Sequence, residues 1–142
     1  MPESLFVYGT LRMGAGHPMA DWLTAHCRYL KMGRFQGRMF DAGDYPAVVA
    51  DPSGRGWVTG EIYTVLSPEL LFPRLDRYEG CTKVLPITAI GANGRDDPRS
   101  LYLRVKAPVV LHQGDTIEAW IYLYNRPTGQ LTPIPGGDYL KR

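Results

Sequence analysis

The sequence predicts one α+β domain built on a twisted, mixed, barrel-like β-sheet with two or three short helices. Five or six segments have the alternating or β-prone composition of strands, and two have the composition of helices. Strands and helices do not alternate regularly along the chain, which argues against a doubly wound sheet. Since domains commonly contain roughly 100 to 150 residues, we expect residues 1–142 to form a single domain.

The composition is that of an ordinary globular protein, with 44% hydrophobic and 21% charged residues. The 16 basic and 14 acidic residues give a net charge of +2 and are scattered, so no nucleic-acid partner is expected. Cys27 and Cys81 match no zinc-ligand or disulfide spacing. Glu3 stands where a signal peptide would be positive, and no later stretch approaches about 18 uncharged apolar residues. We therefore expect a cytoplasmic protein without a membrane segment.

The first element is an apolar, β-prone run over residues 5–11 that is interrupted by a glycine. It predicts a buried central strand that ends in a loop. Gly9 lets the backbone turn sharply, and Thr10 adds a hydroxyl beside it, so successive N–H groups could converge on an anion. The alternative interpretation is a plain glycine at a strand end.

The next segments predict a helix followed by bent strands. Pro18 suits the first position of a helix over residues 19–26, where Met19, Trp22 and Leu23 form one apolar stripe. Residues 28–40 alternate around two glycines and predict one strand with bends or bulges. Turns at 41–46 and 51–56 flank a short strand at 47–50, and residues 57–65 alternate as a further strand.

Ser67-Pro68-Glu69 predicts the start of a second helix, with the serine hydroxyl as its cap. This helix is expected to end at Gly80 and to kink, or to divide into two short turns, at Pro73, which cannot donate to the carbonyl of Glu69. Its apolar side is expected to consist of Leu70, Leu71, Leu75 and Tyr78.

The last third of the chain predicts two more strands and an irregular end. Residues 84–90 are compatible with a strand, whereas residues 91–98 are turn formers throughout and predict a mobile flap. Residues 101–105 and 116–124 alternate as strands around a turn at 112–115. The final strand has one aromatic face, and the tail beyond it is expected to be irregular.

Glu79 is the most notable candidate for chemistry because it lies on the last turn of the second predicted helix. The negative end of the helix dipole and any burial beside Tyr78 would both raise the pKa of its carboxyl group. A raised pKa suits a general acid and base near neutral pH. The alternative is a solvated glutamate beside a capping glycine.

Other candidates have weaker support. Cys81 shows no activating feature, and the glycine-rich residues 53–56 lack the lysine and the following serine or threonine of a phosphate loop. The three histidines, His17, His26 and His112, share no ligand spacing. Five aromatic residues on alternating strands suit either a pocket or the core: Trp57, Tyr63, Trp120, Tyr122 and Tyr124.

Six motifs occur in this order along most of the chain: Val7-Tyr8-Gly9-Thr10-Leu11, Tyr45-Pro46-Ala47, Val58 with Gly60-Glu61-Ile62-Tyr63, Leu75-Asp76-Arg77-Tyr78-Glu79-Gly80, Leu101-Tyr102-Leu103-Arg104, and Ala119-Trp120-Ile121-Tyr122. The ordered set resembles the γ-glutamylcyclotransferase-like family, which includes γ-glutamylamine cyclotransferases and AIG2-like proteins. Three features depart from the family pattern: an apparent insertion at residues 82–99, Pro73 within the helix, and Leu103 where a second basic residue is expected.

The resemblance implies a γ-glutamylcyclotransferase-like fold and an enzyme of the transferase or lyase type. Such an enzyme releases an amine from a small γ-glutamyl amine or peptide, leaving 5-oxoproline, without a metal or organic cofactor. The α-amino group of the substrate attacks its own γ-carbonyl group. By similarity Glu79 is the catalytic residue, and Tyr8, Gly9, Thr10 and Leu11 hold the γ-glutamyl moiety.

Two other functions stay open at this point. One is a non-catalytic module that binds γ-glutamyl compounds or 5-oxoproline, suggested by the departures at Pro73 and Leu103. The other is removal of a γ-glutamyl protecting group in a biosynthetic pathway.

Overall fold

A computed structural model describes residues 3–86 and 99–142 of the chain. In chain order its elements are β1 (Glu3–Val7), α1 (Pro18–His26), β2 (Cys27–Phe35), β3 (Gly37–Asp41), β4 (Pro46–Ala50), β5 (Val58–Val65), α2 (Pro68–Tyr78), β6 (Cys81–Pro86), β7 (Tyr102–Leu111), β8 (Thr116–Tyr124), β9 (Thr132–Pro133) and a short 3-10 helix (Tyr139–Lys141).

The main sheet closes into a barrel of five strands. Its order is β2-β5-β1-β8-β7-β6, and β2 also pairs with β7, so that β6 lies outside the closed ring. The β1–β8 and β6–β7 pairs are parallel and the other pairs are antiparallel. The closing contact joins Gly33 to Leu111 and Arg34 to Val110. The predicted mixed, barrel-like sheet is thus confirmed.

The buried side chains form two clusters on opposite faces of the strands. One cluster collects residues from all five barrel strands, including Phe6, Ile62 and Ile121, and fills the barrel. The other lies under the two helices and includes Leu5 and Leu75. Since successive residues of a strand point to opposite faces, β1 contributes to both clusters and is buried on both sides, as the opening apolar run predicts.

One predicted strand is in fact two strands in different sheets. Residues 28–40 divide at Gln36, where the chain leaves the barrel and continues as β3 in a three-stranded sheet of order β4-β3-β9. Gly37 permits this crossing because it has no Cβ. A Cβ at this position would clash with the carbonyl oxygen of Val49, which would lie 2.7 Å away. The expected bend is therefore a change of sheet.

The second helix is confirmed, but three expectations about it are wrong. It is not divided into two short turns at Pro73, because a proline removes a single internal hydrogen bond that the rest of the packed helix can compensate, and the kink stays a prediction. Ser67 occupies the cap position without a side-chain hydrogen bond. Of the expected apolar side, Leu70 and Tyr78 are exposed, and Phe72 is buried with Leu71 and Leu75 instead.

The bounds of several remaining elements differ from expectation. Strand β7 extends to Leu111, well beyond the predicted 101–105, and the tail contains β9 and the 3-10 helix. The predicted flap at 91–98, and the strand predicted to continue to residue 90, fall on residues 87–98, which lie outside the described ranges. Among the helices described, none has both the length and the apolar character needed to cross a membrane.

Candidate active site

A pocket that is open to solvent lies where β1 ends. The pocket combines the end of β1 and its following loop with residues from β4, β7, β8 and the end of α2. Its lining residues are Phe6, Val7, Tyr8, Gly9, Thr10, Leu11, Tyr45, Pro46, Glu79, Tyr102 and Tyr122.

One wall is formed by residues 8–11, here called the amide loop. The N–H of Arg12 donates to the carbonyl of Gly9 at 3.0 Å and closes a turn. Within the described ranges, the N–H groups of Gly9, Thr10 and Leu11 have no acceptor. Three consecutive unpaired donors beside a pocket form a potential anion site.

Gly9 is required by close packing. Its φ does not lie in the left-handed region, so no unusual backbone conformation demands glycine here. A Cβ at this position would lie 2.5 Å from Cγ of Pro46, at the start of β4. The loop therefore lies directly against the wall formed by Tyr45 and Pro46.

Glu79 enters the same pocket from the end of α2. Its N–H donates to the carbonyl of Leu75 at 2.9 Å, and Gly80 follows with φ of +63°, which ends the helix. Toward the residues that the structure describes, the Glu79 carboxylate makes no hydrogen bond or ion pair. Burial, followed by the negative charge of Asp76, raises the pKa of this carboxyl group from 4.5 to about 8.

Three tyrosines of the pocket donate hydrogen bonds from their hydroxyl groups to acceptors within the protein. Tyr8 donates to the carbonyl of Tyr122, and Tyr102 donates to the carbonyl of Pro46 at 2.6 Å. Tyr122 donates to Oδ1 of Asp76 at 2.6 Å. Burial raises the pKa of all three phenols, so they stay protonated. The rings thus form a rigid wall around Glu79.

Behind Tyr122, Asp76 is paired with an arginine. Arg104 donates from Nε to Oδ1 of Asp76 at 2.9 Å and from Nη2 to Oδ2 at 3.2 Å. The guanidinium also lies over the rings of Phe72 and Trp120, at 4.1 and 4.6 Å from their centroids. The two carboxylates near the end of α2 therefore differ: Asp76 has a cationic partner, whereas Glu79 faces the pocket.

The Thr10 hydroxyl belongs to a short chain of hydrogen bonds. It lies 3.1 Å from the Tyr78 hydroxyl, which lies 3.2 Å from Nε2 of His17. His17 caps α1, because its Nδ1 accepts from the N–H of Met19 at 3.0 Å. In the neutral ring the proton is then on Nε2 and points to Tyr78, so Tyr78 can donate to Thr10. The Thr10 proton remains available for an acceptor in the pocket.

The structure brings Glu79 together with Tyr8, Gly9, Thr10 and Leu11 in one pocket. Their catalytic and binding roles remain predictions. Tyr45, Pro46 and Tyr102 were not expected in the site, although each belongs to one of the sequence motifs.

Most of the alternative candidates lie elsewhere. Of the five aromatic residues proposed for a pocket, only Tyr122 lines this one. Tyr63 is fully buried in the core, and Trp57 lies under the guanidinium of Arg34. Within residues 3–86 and 99–142, no group of three or more His, Cys, Asp or Glu side chains is placed to hold a metal ion.

The family assignment follows from comparison with known proteins. Residues 5–141 match the family model described as gamma-glutamyl cyclotransferase, AIG2-like, and the chain belongs to this family. The gamma-glutamylcyclotransferase family protein YtfP of Escherichia coli K12 is 28% identical over 138 residues, covering 97% of this chain and 96% of that protein.

Solved structures agree on the fold. YkqA of Bacillus subtilis superposes with a TM-score of 0.67 at 27% identity over 99% of this chain. The match covers 40% of the length of YkqA. An AIG2-like protein of Mus musculus superposes with a TM-score of 0.69 at 24% identity, covering 97% of this chain and 88% of that one. The resemblance found in the sequence is thus confirmed.

Leu103, one of the departures from the family pattern, has a simple structural explanation. It is fully buried in the barrel interior, whereas the next residue of β7, Arg104, points to Asp76 on the opposite face. A basic residue at 103 would enter the apolar core, so the departure does not remove a charge from the pocket.

Proposed function

We propose that this protein is a cyclotransferase that converts a γ-glutamyl amine or peptide into 5-oxoproline and a free amine. The principal support is that a half-buried carboxylate with a raised pKa, Glu79, shares one pocket with the unpaired amides of the amide loop. This combination supplies a proton carrier and an anion site within a small volume. Membership of the gamma-glutamyl cyclotransferase, AIG2-like family supports the same reaction.

The amide loop would hold the γ-glutamyl moiety. The N–H groups of Gly9, Thr10 and Leu11, with the Thr10 hydroxyl, have the chemistry to bind either the α-carboxylate or the oxyanion that develops on the γ-carbonyl oxygen. The tyrosine wall would confine the substrate and favour the folded conformation in which the α-nitrogen approaches the carbon of the γ-carbonyl group.

Glu79 would transfer the protons. The α-nitrogen begins as an ammonium with three protons, forms a bond to the carbon of the γ-carbonyl group, and ends as the lactam N–H. Its two lost protons pass through the Glu79 carboxylate to the leaving nitrogen as the bond between the carbonyl carbon and that nitrogen breaks. The released amine is therefore an ammonium, and neither water nor a cofactor enters the balance. A carboxyl pKa of about 8 makes Glu79 a better base toward an ammonium than an ordinary glutamate.

The Glu79→Gln variant tests the proposal. Loss of the proton carrier should lower the rate about 100-fold or more while the circular dichroism spectrum stays unchanged. Formation of 5-oxoproline would be followed by mass spectrometry over a panel of γ-glutamyl amines, peptides and an ε-lysine isopeptide. The panel would also identify which amine is released. That amine could come from a biosynthetic intermediate protected by a γ-glutamyl group.

Glu69→Gln is the matched control, because Glu69 is an exposed glutamate in the first turn of the same helix. This variant should keep wild-type activity. Wild-type activity in Glu79→Gln would contradict the proposed mechanism. Calorimetric binding of 5-oxoproline or a glutamyl amide by the wild-type protein, without turnover of any panel member, would favour the non-catalytic binding module.

A further inference from the structure

Three charged side chains from distant parts of the chain meet directly behind the amide loop. Arg12 donates from Nε to Oε2 of Glu61 on β5 at 3.2 Å, and from Nη1 to Oδ1 of Asp138 at 2.8 Å. Arg12 is 5% exposed and Glu61 is 3% exposed. Asp138 is half-buried, and we call Arg12, Glu61 and Asp138 the ion triad.

The triad is joined to the backbone of the loop. Oε1 of Glu61 accepts from the N–H of Met13 at 2.9 Å and from the hydroxyl of Tyr63 at 3.0 Å. Arg12, whose N–H closes the turn onto Gly9, comes directly after the three unpaired amides. Both residues that follow the amide loop are therefore fixed to strand β5.

Asp138 links Arg12 to the C-terminal segment. Its Oδ1 also accepts from the N–H of Leu140 at 3.1 Å, at the start of the 3-10 helix. The neighbouring Tyr139 is buried with the barrel cluster, and the carbonyl of Gly137 accepts from the N–H of Thr59 at 2.7 Å. The C-terminal segment is thus a packed part of the structure beside β5.

A buried ionic network is a costly way to add stability, because desolvation offsets much of the attraction between the charges. Its more specific effect is geometric, since removal of one partner leaves a charge buried without compensation. For the described residues, the triad and the Met13 hydrogen bond hold the C-terminal side of the amide loop, while β1 holds its N-terminal side.

We propose that Arg12, Glu61 and Asp138 are positioning residues that hold the amides of Gly9, Thr10 and Leu11 in the geometry that binds the γ-glutamyl group. This assignment rests on the proposed function. It also gives the C-terminal segment a role in substrate binding through Asp138, although that segment does not line the pocket.

Glu61→Gln and Asp138→Ala test the assignment. In Glu61→Gln, one of the two side-chain oxygens becomes an NH₂ donor, and the amide cannot satisfy both Arg12 and Met13 as the carboxylate does. In Asp138→Ala, Arg12 loses its second partner. Both variants should raise KM about tenfold with a smaller change in kcat, because misplaced amides weaken binding of the γ-glutamyl group. Asp138→Asn keeps the Oδ1 acceptor and should recover most of the affinity.

Hydrogen exchange gives a measurement that is independent of turnover. The Met13 amide donates to Glu61, so it should exchange faster in Glu61→Gln and in Asp138→Ala than in the wild-type protein. The control is Val109→Ala, a core substitution in β7 that lies in the barrel cluster and is not a member of the triad. It should lower the melting temperature while leaving KM and Met13 exchange unchanged.

The outcomes separate this inference from the proposed function. A wild-type KM and unchanged Met13 exchange in both Glu61→Gln and Asp138→Ala would overturn the positioning role. A rise in KM that Val109→Ala reproduces at a similar loss of melting temperature would also overturn it. A wild-type protein inactive on the whole panel would instead overturn the proposed function and, with it, the role in substrate binding, whereas Met13 exchange would still decide whether the triad orders the loop.

Discussion

At the scale of single residues, Glu79 differs from an ordinary helix-terminal glutamate through its surroundings. The sequence predicts a raised pKa from the helix dipole and from burial, and the structure agrees on the direction. The largest cause is burial among the tyrosines of the pocket, and the second is the charge of Asp76. Because no described residue supplies a cation to the carboxylate, the protonated form is favoured in the folded protein.

This pKa predicts a pH dependence of stability. Folded Glu79 keeps its proton up to about pH 8, whereas the unfolded residue loses it near 4.5. Its contribution to stability is complete below pH 4.5 and is lost as the pH rises to about 8. Relative to Glu79→Gln, the wild-type protein should therefore lose free energy of unfolding, on the order of 5 kcal/mol, over this interval.

Urea denaturation of both proteins at several pH values between 5 and 9 measures the difference. Glu69→Gln serves as the control, since its exposed side chain should leave the wild-type dependence intact. If the wild-type protein and Glu79→Gln keep a constant difference in free energy of unfolding over the whole interval, Glu79 has an ordinary pKa and the proton-transfer argument loses its basis.

At the scale of elements, α2 connects the core, the charge network and the pocket. Leu71 and Leu75 of this helix pack into the cluster beneath it. The residue after Leu75, Asp76, pairs with Arg104. Glu79 follows after three further residues, at the helix end, where it turns toward the amide loop. Residues three apart are neighbours on a helix surface, so the two carboxylates influence one another. The helix therefore positions Glu79 in the pocket and also carries Asp76, which raises the pKa of Glu79.

The Asp76→Asn variant should lower the pKa of Glu79 by removing a nearby negative charge. Asparagine keeps an oxygen that can accept from Tyr122, so the wall of the pocket should persist. Since burial is the larger cause, the pKa should fall by about one pH unit or less and stay above 4.5. An NMR titration of the Glu79 carboxyl carbon measures this change directly.

Glu69→Gln again provides the matched control, because it removes one negative charge from the opposite end of α2. Its Glu79 titration should match that of the wild-type protein. An unchanged Glu79 midpoint in Asp76→Asn, or a rise, would show that Asp76 does not disfavour the ionised form.

At the scale of the whole molecule, the barrel depends on close contacts between strands that are distant in sequence. Gly60 in β5 lies against β1: a Cβ there would lie 2.5 Å from Cζ of Phe6 and would also clash with the carbonyl of Val7. These contacts bring β5, which carries Glu61, next to the strand that leads into the amide loop. Packing of the barrel and placement of the site are therefore coupled.

Gly60→Ala should destabilise the protein by about 1 to 3 kcal/mol, because overpacking in a dense interior forces strands apart. Thermal denaturation should show a melting temperature several degrees lower. Gly129→Ala is the control, since no heavy atom lies within 4 Å of a Cβ built there and its φ is not in the left-handed region. Equal melting temperatures for the two variants would mean that the β1–β5 contact tolerates a side chain.

Local patterns predict many of the elements but not all of their limits. The Pro18 start of α1, the alternation of β5 and the Gly80 end of α2 each depend on residues close in sequence. The predicted division of α2 at Pro73 and the predicted single strand across Gln36 are wrong, because tertiary contacts decide whether a helix continues through a proline and which sheet a strand joins. Exposure of Leu70 has the same origin, since the sequence does not say which side of α2 meets the barrel.

By itself, the sequence determined the fold class, the family and the two halves of the candidate site, the loop at residues 8–11 and Glu79, through motifs that are compact in the chain. Only the tertiary structure decided that the halves share a pocket, that Tyr102 and Tyr122 form its wall, and that Glu61 and Asp138 meet Arg12. The physical reason is that burial, strand pairing and charge pairing join residues that are distant in sequence, where no local pattern specifies which of them will meet.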